Sequence, residues 1–305
     1  MAELPGVSFL VPVFNKAPHL PAVLRQISRQ TGNFPRQFVF VDDESTDGSL
    51  ELVRELTADW QNVVIQSQSN RGSAGATNAC IALADQPYIK FVDADDLISD
   101  AASETLLRVL DASDACLAYG NVTRYVDENE IDLTERVANP ATEELVDALR
   151  LAMKNSLFNP TQCLVRTASV QETGGCDERV VHSQEYSMTL RLARRWPILR
   201  VDAPVAFIPE QAERLSNNEA RQLQRVTRAL ALFLRDYEDT DAALQRFACR
   251  RAAGRAWHYV RRRAGAGLGS PWFRRYVASH VSRGNNAADF IDACCEAFDT
   301  SPSEA

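Results

Sequence analysis

Short, almost uninterrupted apolar runs recur along the first third of the chain, at residues 7–14, 38–41, 63–65 and 88–92. A strand with one wet face alternates polar and apolar residues, so runs this continuous suit the buried strands of a parallel sheet. Segments with helical spacing separate them. Leu20, Val23, Leu24 and Ile27 share one face, with Pro18 and Pro21 tolerable only in a first turn. Leu50, Val53 and Leu56 mark a second helix, and the small residues from Gly72 open a third. After the fourth run, Leu106, Leu107 and Leu110 mark another helix, which Ser99 or Asp100 can cap. Strands alternating with helices over about residues 5–126 predict an α/β sandwich with a mostly parallel central sheet. Pro12 should end the pairing of the first strand. Beyond it, residues 115–119 and 122–126 read as a strand pair, 143–153 as a helix, 161–165 as a short strand, and 198–201 and 205–208 as extended pieces.

Two of the predicted strands end in carboxylates. The fourth run closes on Asp93-Ala94-Asp95-Asp96, and the second on Asp42-Asp43. Like charges at the end of a buried strand repel and resist desolvation, so they imply a bound cation, a network of donors or exposure to water. A hard divalent ion, Mg2+ or Mn2+, is the natural partner, because it takes carboxylate oxygens and shares its other positions with phosphates. The alternative is a solvated turn before a helix cap. Capping explains part of the polar turn from Asp42 to Ser49, but two aspartates directly after a strand exceed what a cap needs. In open parallel sheets ligands bind beyond the carboxyl ends of the strands, so both acidic turns should face one cleft. Near them, Asn70-Arg71-Gly72 opens a helix whose small residues allow close approach to backbone amides, and Arg71 could reach a phosphate or a base. Gly72-x-x-Gly75 is neither a Rossmann nor a P-loop fingerprint.

Composition narrows the classes. A net charge of −8 on 305 residues argues against a nucleic-acid-binding protein. The first residues carry neither a basic leader nor a long apolar core, and no segment reaches membrane-spanning length, which predicts a protein that stays in the cytoplasm. Seven cysteines without C-x-x-C spacing, mostly within apolar runs, read as reduced structural thiols. The four histidines pair with one another or with cysteine at no zinc-ligand spacing.

Farther along, the turn at Gly174-Gly175 leads to a helix over 184–192, with Asp177 and Glu185 at its entrance. A first-turn carboxylate there is also what the helix dipole favours without any function. From residue 217 helical spacing dominates. No Asp or Glu falls between Asp241 and Asp289, while ten arginines do, interleaved with Trp257, Tyr259, Trp272, Phe273 and Tyr276. This helical appendage over 217–305 reads either as a basic face for anionic lipid, a polyanionic acceptor or an acidic partner, or as a solvated face whose aromatics pack on the main domain.

Taken in order, these segments resemble the family 2 glycosyltransferases of the GT-A fold, over about residues 5–216 and not the helical tail. Val11-Pro12-Val13-Phe14-Asn15 looks like that family's opening strand and turn, and Val41-Asp42-Asp43-Glu44-Ser45-Thr46-Asp47-Gly48 like its nucleotide-binding turn. Asn70-Arg71-Gly72, with Ala74 and Asn78, is similar to the helix that follows, and Phe91 to Asp96 to its Asp-x-Asp metal site. Gly174-Gly175-Cys176-Asp177-Glu178 and the helix from Gln184 look like the acceptor-side segment that carries the catalytic base.

The resemblance implies a Rossmann-like GT-A sandwich over 1–216, with a nucleotide-sugar half to about 126 and an acceptor half from about 127. It implies a nucleotide diphosphate sugar as donor, a UDP-sugar first among the candidates. Asp42 or Asp43 would meet the base, with Arg71 and Ala74 nearby and Pro12, Val13 and Phe14 lining the nucleotide. Asp93, beside Ala94, would approach ribose or sugar, and Asp95 with Asp96 would hold Mn2+ or Mg2+ on the diphosphate. Glu185 would be the base of an inverting transfer, with Asp177, Gln184 and Gln211 on the acceptor side. Three positions depart from the family pattern. Glu44 stands where the family usually has Gly, Gln184-Glu185 where it has an Asp, often after a Glu, and Gln211 at about the place of a metal-binding His. The implied function is transfer of one sugar to a glycan or lipid-linked acceptor in cell-surface polysaccharide synthesis, at the cytoplasmic face of the membrane if the basic tail meets lipid. The alternatives are a nucleotidyltransferase, which would show a Gly-rich basic loop where Asn15-Lys16-Ala17-Pro18 stand, a binding or scaffold protein of the same fold, and a nucleic-acid module built on the tail.

Overall fold

The computed structural model describes residues 4–180, 184–210, 219–281 and 286–299. Elements follow one another as β1 (Val7–Val13), α1 (Leu20–Ser28), β2 (Arg36–Asp42), α2 (Ser49–Leu56), β3 (Val63–Ser67), α3 (Gly72–Leu83), β4 (Tyr88–Phe91), β5 (Leu97–Ile98) and α4 (Ala102–Asp111). Then come β6 (Leu117–Tyr125), β7 (Thr142–Glu144), α5 (Ala148–Lys154), β8 (Cys163–Arg166), α6 (Thr167–Glu172), α7 (Gln184–Ala193) and β9 (Ile198–Pro209). The helices α8 (Glu219–Asp236), α9 (Ala242–Ala264), α10 (Pro271–Val281) and α11 (Ala287–Asp292) complete the order.

The strands form one sheet in the order β3-β2-β1-β4-β8-β6-β9-β5, with β7 on β9. Its first half, β3-β2-β1-β4, is wholly parallel, as the continuous apolar runs require. The second half is mixed: β8 runs antiparallel to both β4 and β6, whereas β6 and β9 run parallel. Leu10 O accepts from Val92 N and Val13 O from Asp43 N, so the alternation of β1 aims the Pro12 nitrogen toward β4. Pairing of β1 with β4 stops at Leu10↔Phe91, but pairing with β2 continues through Pro12↔Val41 to Val13↔Asp42. The proline thus ends the ladder on one side only, and the crevice between β1 and β4 opens where the missing N–H would have bonded.

Four other expectations change. The predicted pair at 115–126 is a single strand, β6, whose register breaks around Gly120. A side chain at Gly120 would strike Val205, so the residue marks a close crossing of β9 and not a turn. The helix expected over 143–153 is the edge strand β7 followed by the shorter α5, and the two extended pieces at 198–208 are one strand. Neither Ser99 nor Asp100 caps α4. Ser99 Oγ donates to Pro204 O, and Asp100 accepts from Gln26 and Arg29, so both are spent on tertiary bonds.

The chain divides into two compact units, one of residues 1–148, 158–188 and 192–211, the other of 149–157, 189–191 and 212–305. The boundary expected at 216/217 lies outside the described residues. Within the second unit the aromatics pack on one another: Trp257 lies 5.1 Å from Phe273 and Tyr259 5.3 Å from Phe298, centroid to centroid. Its arginines meet acids, rings and backbone carbonyls, Arg251 and Arg255 both donating to Lys154 O. Arg262 and Arg263 reach Glu219, Arg228 meets Asp292, and Arg275 lies over Trp272. No helix among the described residues is long and apolar enough to cross a membrane. All seven cysteines are free and buried, and desolvation pushes the Cys116 and Cys163 thiols up to about 12, which keeps them protonated and inert.

Candidate functional site

The two acidic turns leave the carboxyl ends of β2 and β4, with β1 between them. At the β2 end the donors are neutral. Asp42 Oδ2 accepts from Ser45 N and Ser67 Oγ, both at 3.3 Å, while its buried Oδ1 has no hydrogen-bond partner among the described residues. Asp43 Oδ1 accepts from Gln68 Nε2 at 2.8 Å and from Arg71 N at 2.9 Å. Glu44 adopts φ 69°, the left-handed region where glycine is at ease, which gives a physical reason for a glycine at this place. Here the side chain offsets the strain by accepting from Asn70 N at 3.1 Å.

The β4 end is held by charge. Lys16 Nζ, from the loop after β1, lies 2.6 Å from Asp95 Oδ2. Beneath the turn Lys90 is fully buried, its ammonium donating to Thr161 O and, at 3.3 Å, to Cys163 O. Burial lowers the Lys90 pKa to about 8, against the opposing pull of Cys163, Asp96 and Asp93. Thr161 ties both ends of the turn: its Oγ1 accepts from Asp93 N at 3.0 Å and donates to the buried Asp96 Oδ2 at 2.8 Å. Asp95 is therefore the carboxylate of the turn that an ammonium can reach from the cleft side, and Asp96 is anchored inward.

Asp93 and Glu185 line one cleft of about 260 Å³, open mouth included, together with Pro12, Thr77, Phe91 and Met188. Among the other expected residues, Val13, Ala74 and Ala94 are buried, whereas Phe14 is 46% exposed. Asp177 is buried in a fork with Arg179, whose Nε and Nη2 donate to it at 2.9 and 2.7 Å, and its own N–H donates to Ser187 Oγ. The side chain of Gln184 and the whole of Gln211 lie outside the described residues.

Arg71 donates to both oxygens of Glu178, at 3.0 and 2.7 Å. Asn78 joins them through Nδ2 to Glu178 Oε1 at 2.9 Å and clasps both polar groups of the Cys176 backbone. Asn78, then Arg71, hold the Glu178 carboxyl below its usual range. Gly175, at φ +67°, leaves the space a Cβ would take from Asn78 Oδ1. Sequence reasoning passed over Lys16, Lys90, Thr161 and Glu178. Lys90 alone carried a signal, a charge inside an apolar run.

Among the described residues no three of His, Cys, Asp and Glu converge as a ready-made metal cage. A Mg2+- or Mn2+-type ion that completes its shell with phosphates and water needs only one or two carboxylates, so the partly exposed Asp95 carboxylate is of a type that fits one.

Comparison with known proteins shows the family and the fold. The chain spans less than half the length of the curated relatives it matches first. Glycosyltransferase GlyG of Streptococcus pneumoniae serotype 4 is 34% identical over 131 residues, 43% of this chain and 42% of that protein. The poly(ribitol-phosphate) beta-glucosyltransferase of Bacillus spizizenii is 36% identical over 107 residues, 33% of this chain and 16% of the relative. Among solved structures, S. aureus TarS 1–349 in complex with UDP-GlcNAc aligns over 96% of this chain and 91% of its own, with TM-score 0.65 at 15% identity. The mannosyltransferase PcManGT of Pyrobaculum calidifontis, in complex with GDP-Man and Mn2+, aligns over 98% and 87% with TM-score 0.55 at 18% identity. These likenesses show the fold, a mixed α/β sandwich of the kind TarS has. The model of Glycosyl transferase family 2 matches residues 8–174, more than half of the 305-residue chain, and the chain belongs to that family.

Proposed function

We propose that this chain is an inverting glycosyltransferase that moves a sugar from a nucleotide diphosphate sugar to an acceptor hydroxyl in cell-surface glycan synthesis. The observation that carries this reading is that Asp93 of the acidic turn and Glu185 of α7 line the same cleft at the opened carboxyl ends of β1 and β4. TarS with UDP-GlcNAc and PcManGT with GDP-Man support a nucleotide sugar as donor, and a UDP-sugar is the first candidate. The unpartnered Oδ1 of Asp42 and the free lone pairs of Asp43 suit the N–H groups of a base, and the exposed Phe14 suits its flat face. Asp93 orients ribose or sugar. Asp95 holds a divalent ion, which when bound supplies positive charge against the leaving diphosphate. Asp96 fixes the turn through Thr161.

Glu185 acts as the base. Its carboxylate takes the proton of the acceptor hydroxyl as that oxygen attacks C1 from the face opposite the diphosphate, which inverts the anomeric centre. The nucleotide-sugar half is then about 5–126 and the acceptor half about 127–216, with the helical region serving the acceptor or an anionic surface. The test is Glu185→Gln. Retained binding of UDP or GDP in calorimetry together with transfer reduced at least about a thousandfold supports the assignment. Transfer at the wild-type rate removes Glu185 from the base role.

A further inference from the structure

We infer that Lys16 is a diphosphate-binding residue that shares Asp95 with the metal ion, so that the donor site is charge-compensated in part by the chain itself; this rests on the donor-site reading above. Its ammonium lies 2.6 Å from Asp95 Oδ2, with about a third of the side chain exposed, on the carboxylate assigned to the ion and two residues from Asp93, which lines the cleft. An ordinary surface ion pair is a loose contact of long side chains. This one stands on a fixed base. The loop after β1 is bolted to the turn after β2 by Asn15 N to Ser45 Oγ at 3.0 Å, Lys16 N to Ser49 Oγ at 2.8 Å and Ala17 N to Asp47 Oδ2 at 3.0 Å. The reverse bond, Thr46 N to Asn15 Oδ1 at 2.8 Å, holds Asn15 at φ 51°, a conformation that is otherwise strained. Four bonds and a left-handed residue therefore aim one lysine at the acidic turn.

Charge balance says what that lysine is for. Around the turn two ammonium groups, Lys16 and Lys90, stand against Asp93, Asp95 and Asp96. Lys90 is fully buried and bonded to Thr161 O and Cys163 O, so it cannot follow a ligand. A nucleotide diphosphate sugar brings a dianion. With Asp95 engaged by a divalent ion, the Lys16 ammonium would be left with the diphosphate as its nearest anion; with Asp95 free, Lys16 would stay on it and stand between it and the diphosphate. In both cases a cation remains between carboxylate and phosphate.

Equilibrium binding of uridine and UDP, guanosine and GDP, in EDTA and in Mn2+, together with Mn2+ alone followed by electron paramagnetic resonance, tests this on wild type, Lys16→Met and Lys16→Arg. In EDTA the wild type should bind the diphosphate, and Lys16→Met should weaken that binding at least tenfold while shifting the nucleoside less than twofold. Mn2+ alone should bind Lys16→Met at least threefold tighter, because Asp95 is released, and Lys16→Arg should restore diphosphate binding to within threefold. Diphosphate affinity in EDTA that is equal in wild type and Lys16→Met overturns the inference while leaving the donor site standing. A wild type that binds no nucleoside or nucleotide under any condition overturns the donor-site reading and this inference with it.

Discussion

The two acidic strand ends look alike in sequence and are held in opposite ways. At the end of β2, Asp42 and Asp43 are met by a hydroxyl, amide groups and backbone N–H donors, all neutral, and one buried oxygen is left over. At the end of β4, Asp95 and Asp96 are held by an ammonium and by a threonine that itself rests on a buried ammonium. Neutral donors fix direction at little electrostatic expense, which suits recognition of a base edge. Fixed cations beside carboxylates suit a site where negative charge arrives and then grows on a leaving group. On the proposed function, this difference would leave recognition to one turn and charge compensation to the other.

Within the two turns, the largest expected effect tests that division. Asp95→Ala should cut transfer by at least about a hundredfold, the scale for losing one fixed electrostatic partner of a reaction centre. It should abolish the Mn2+-dependent part of UDP or GDP affinity and leave nucleoside affinity unchanged. Asp43→Asn keeps an oxygen for Gln68 and for the Arg71 backbone, so the turn survives, and should weaken the nucleoside and the nucleotide alike, by about tenfold. Titration calorimetry with both ligands reads the pattern. If Asp95→Ala weakens the nucleoside as much as the diphosphate, the two turns do not divide the donor between them.

The first half of the sheet was legible because short, continuous apolar runs separated by helical patterns fit buried parallel strands, and the acidic turns fall where those strands end. The second half misled for a physical reason. Residues 143–153 carry helical spacing, but the first of them pair with β9, an edge contact that no local pattern announces. The pair of extended pieces at 198–208 concealed one long strand, since the apolar pattern breaks between 201 and 205 while Asn121 bonds Asp202 and the strand runs on. In the site, the side chains that could be named were those on strand ends and at helix starts. Thr161 was invisible because it reaches the β4 turn through the antiparallel partner β8, whose place beside β4 follows from sheet order and not from any motif. Lys16 was read only as evidence against a basic phosphate loop, and its partner lies 79 positions away.

Lys90 sharpens the charge-held side of the comparison with a smaller effect. Its pKa falls from 10.5 to about 8 through burial, so below pH 8 the folded chain carries a desolvated ammonium that the unfolded chain carries in water. Between pH 8 and 10.5 the native state releases this proton first, the unfolded state binds more protons, and stability rises from this source by about 3 kcal/mol. Lys90→Met should lack that rise. Denaturant unfolding across the window, wild type minus variant, measures it. The same variant should weaken UDP or GDP binding severalfold while sparing the nucleoside, because Thr161 and through it Asp93 and Asp96 lose their anchor. A difference that is flat with pH means that the ammonium is not the species buried beneath the turn.

The smallest effect belongs to Glu178, and it discriminates most finely. Its carboxylate is held below the usual range by Asn78 and then by Arg71, so the pair with Arg71 is present above the unfolded carboxyl's pKa and lost as pH falls through the folded one. Both partners are largely exposed, and Glu178→Gln should therefore change stability by no more than about 1 kcal/mol, since the amide still accepts from Asn78. What changes is Arg71, whose guanidinium is released at the helix start while its backbone stays on Asp43. If Arg71 serves the base, Glu178→Gln should tighten nucleoside and diphosphate equally, by up to about threefold; if it serves a phosphate, only the diphosphate should tighten. The second outcome moves one cation from the β2 side to the charge-compensating side, and the ratio of the two affinities in a single variant decides between them.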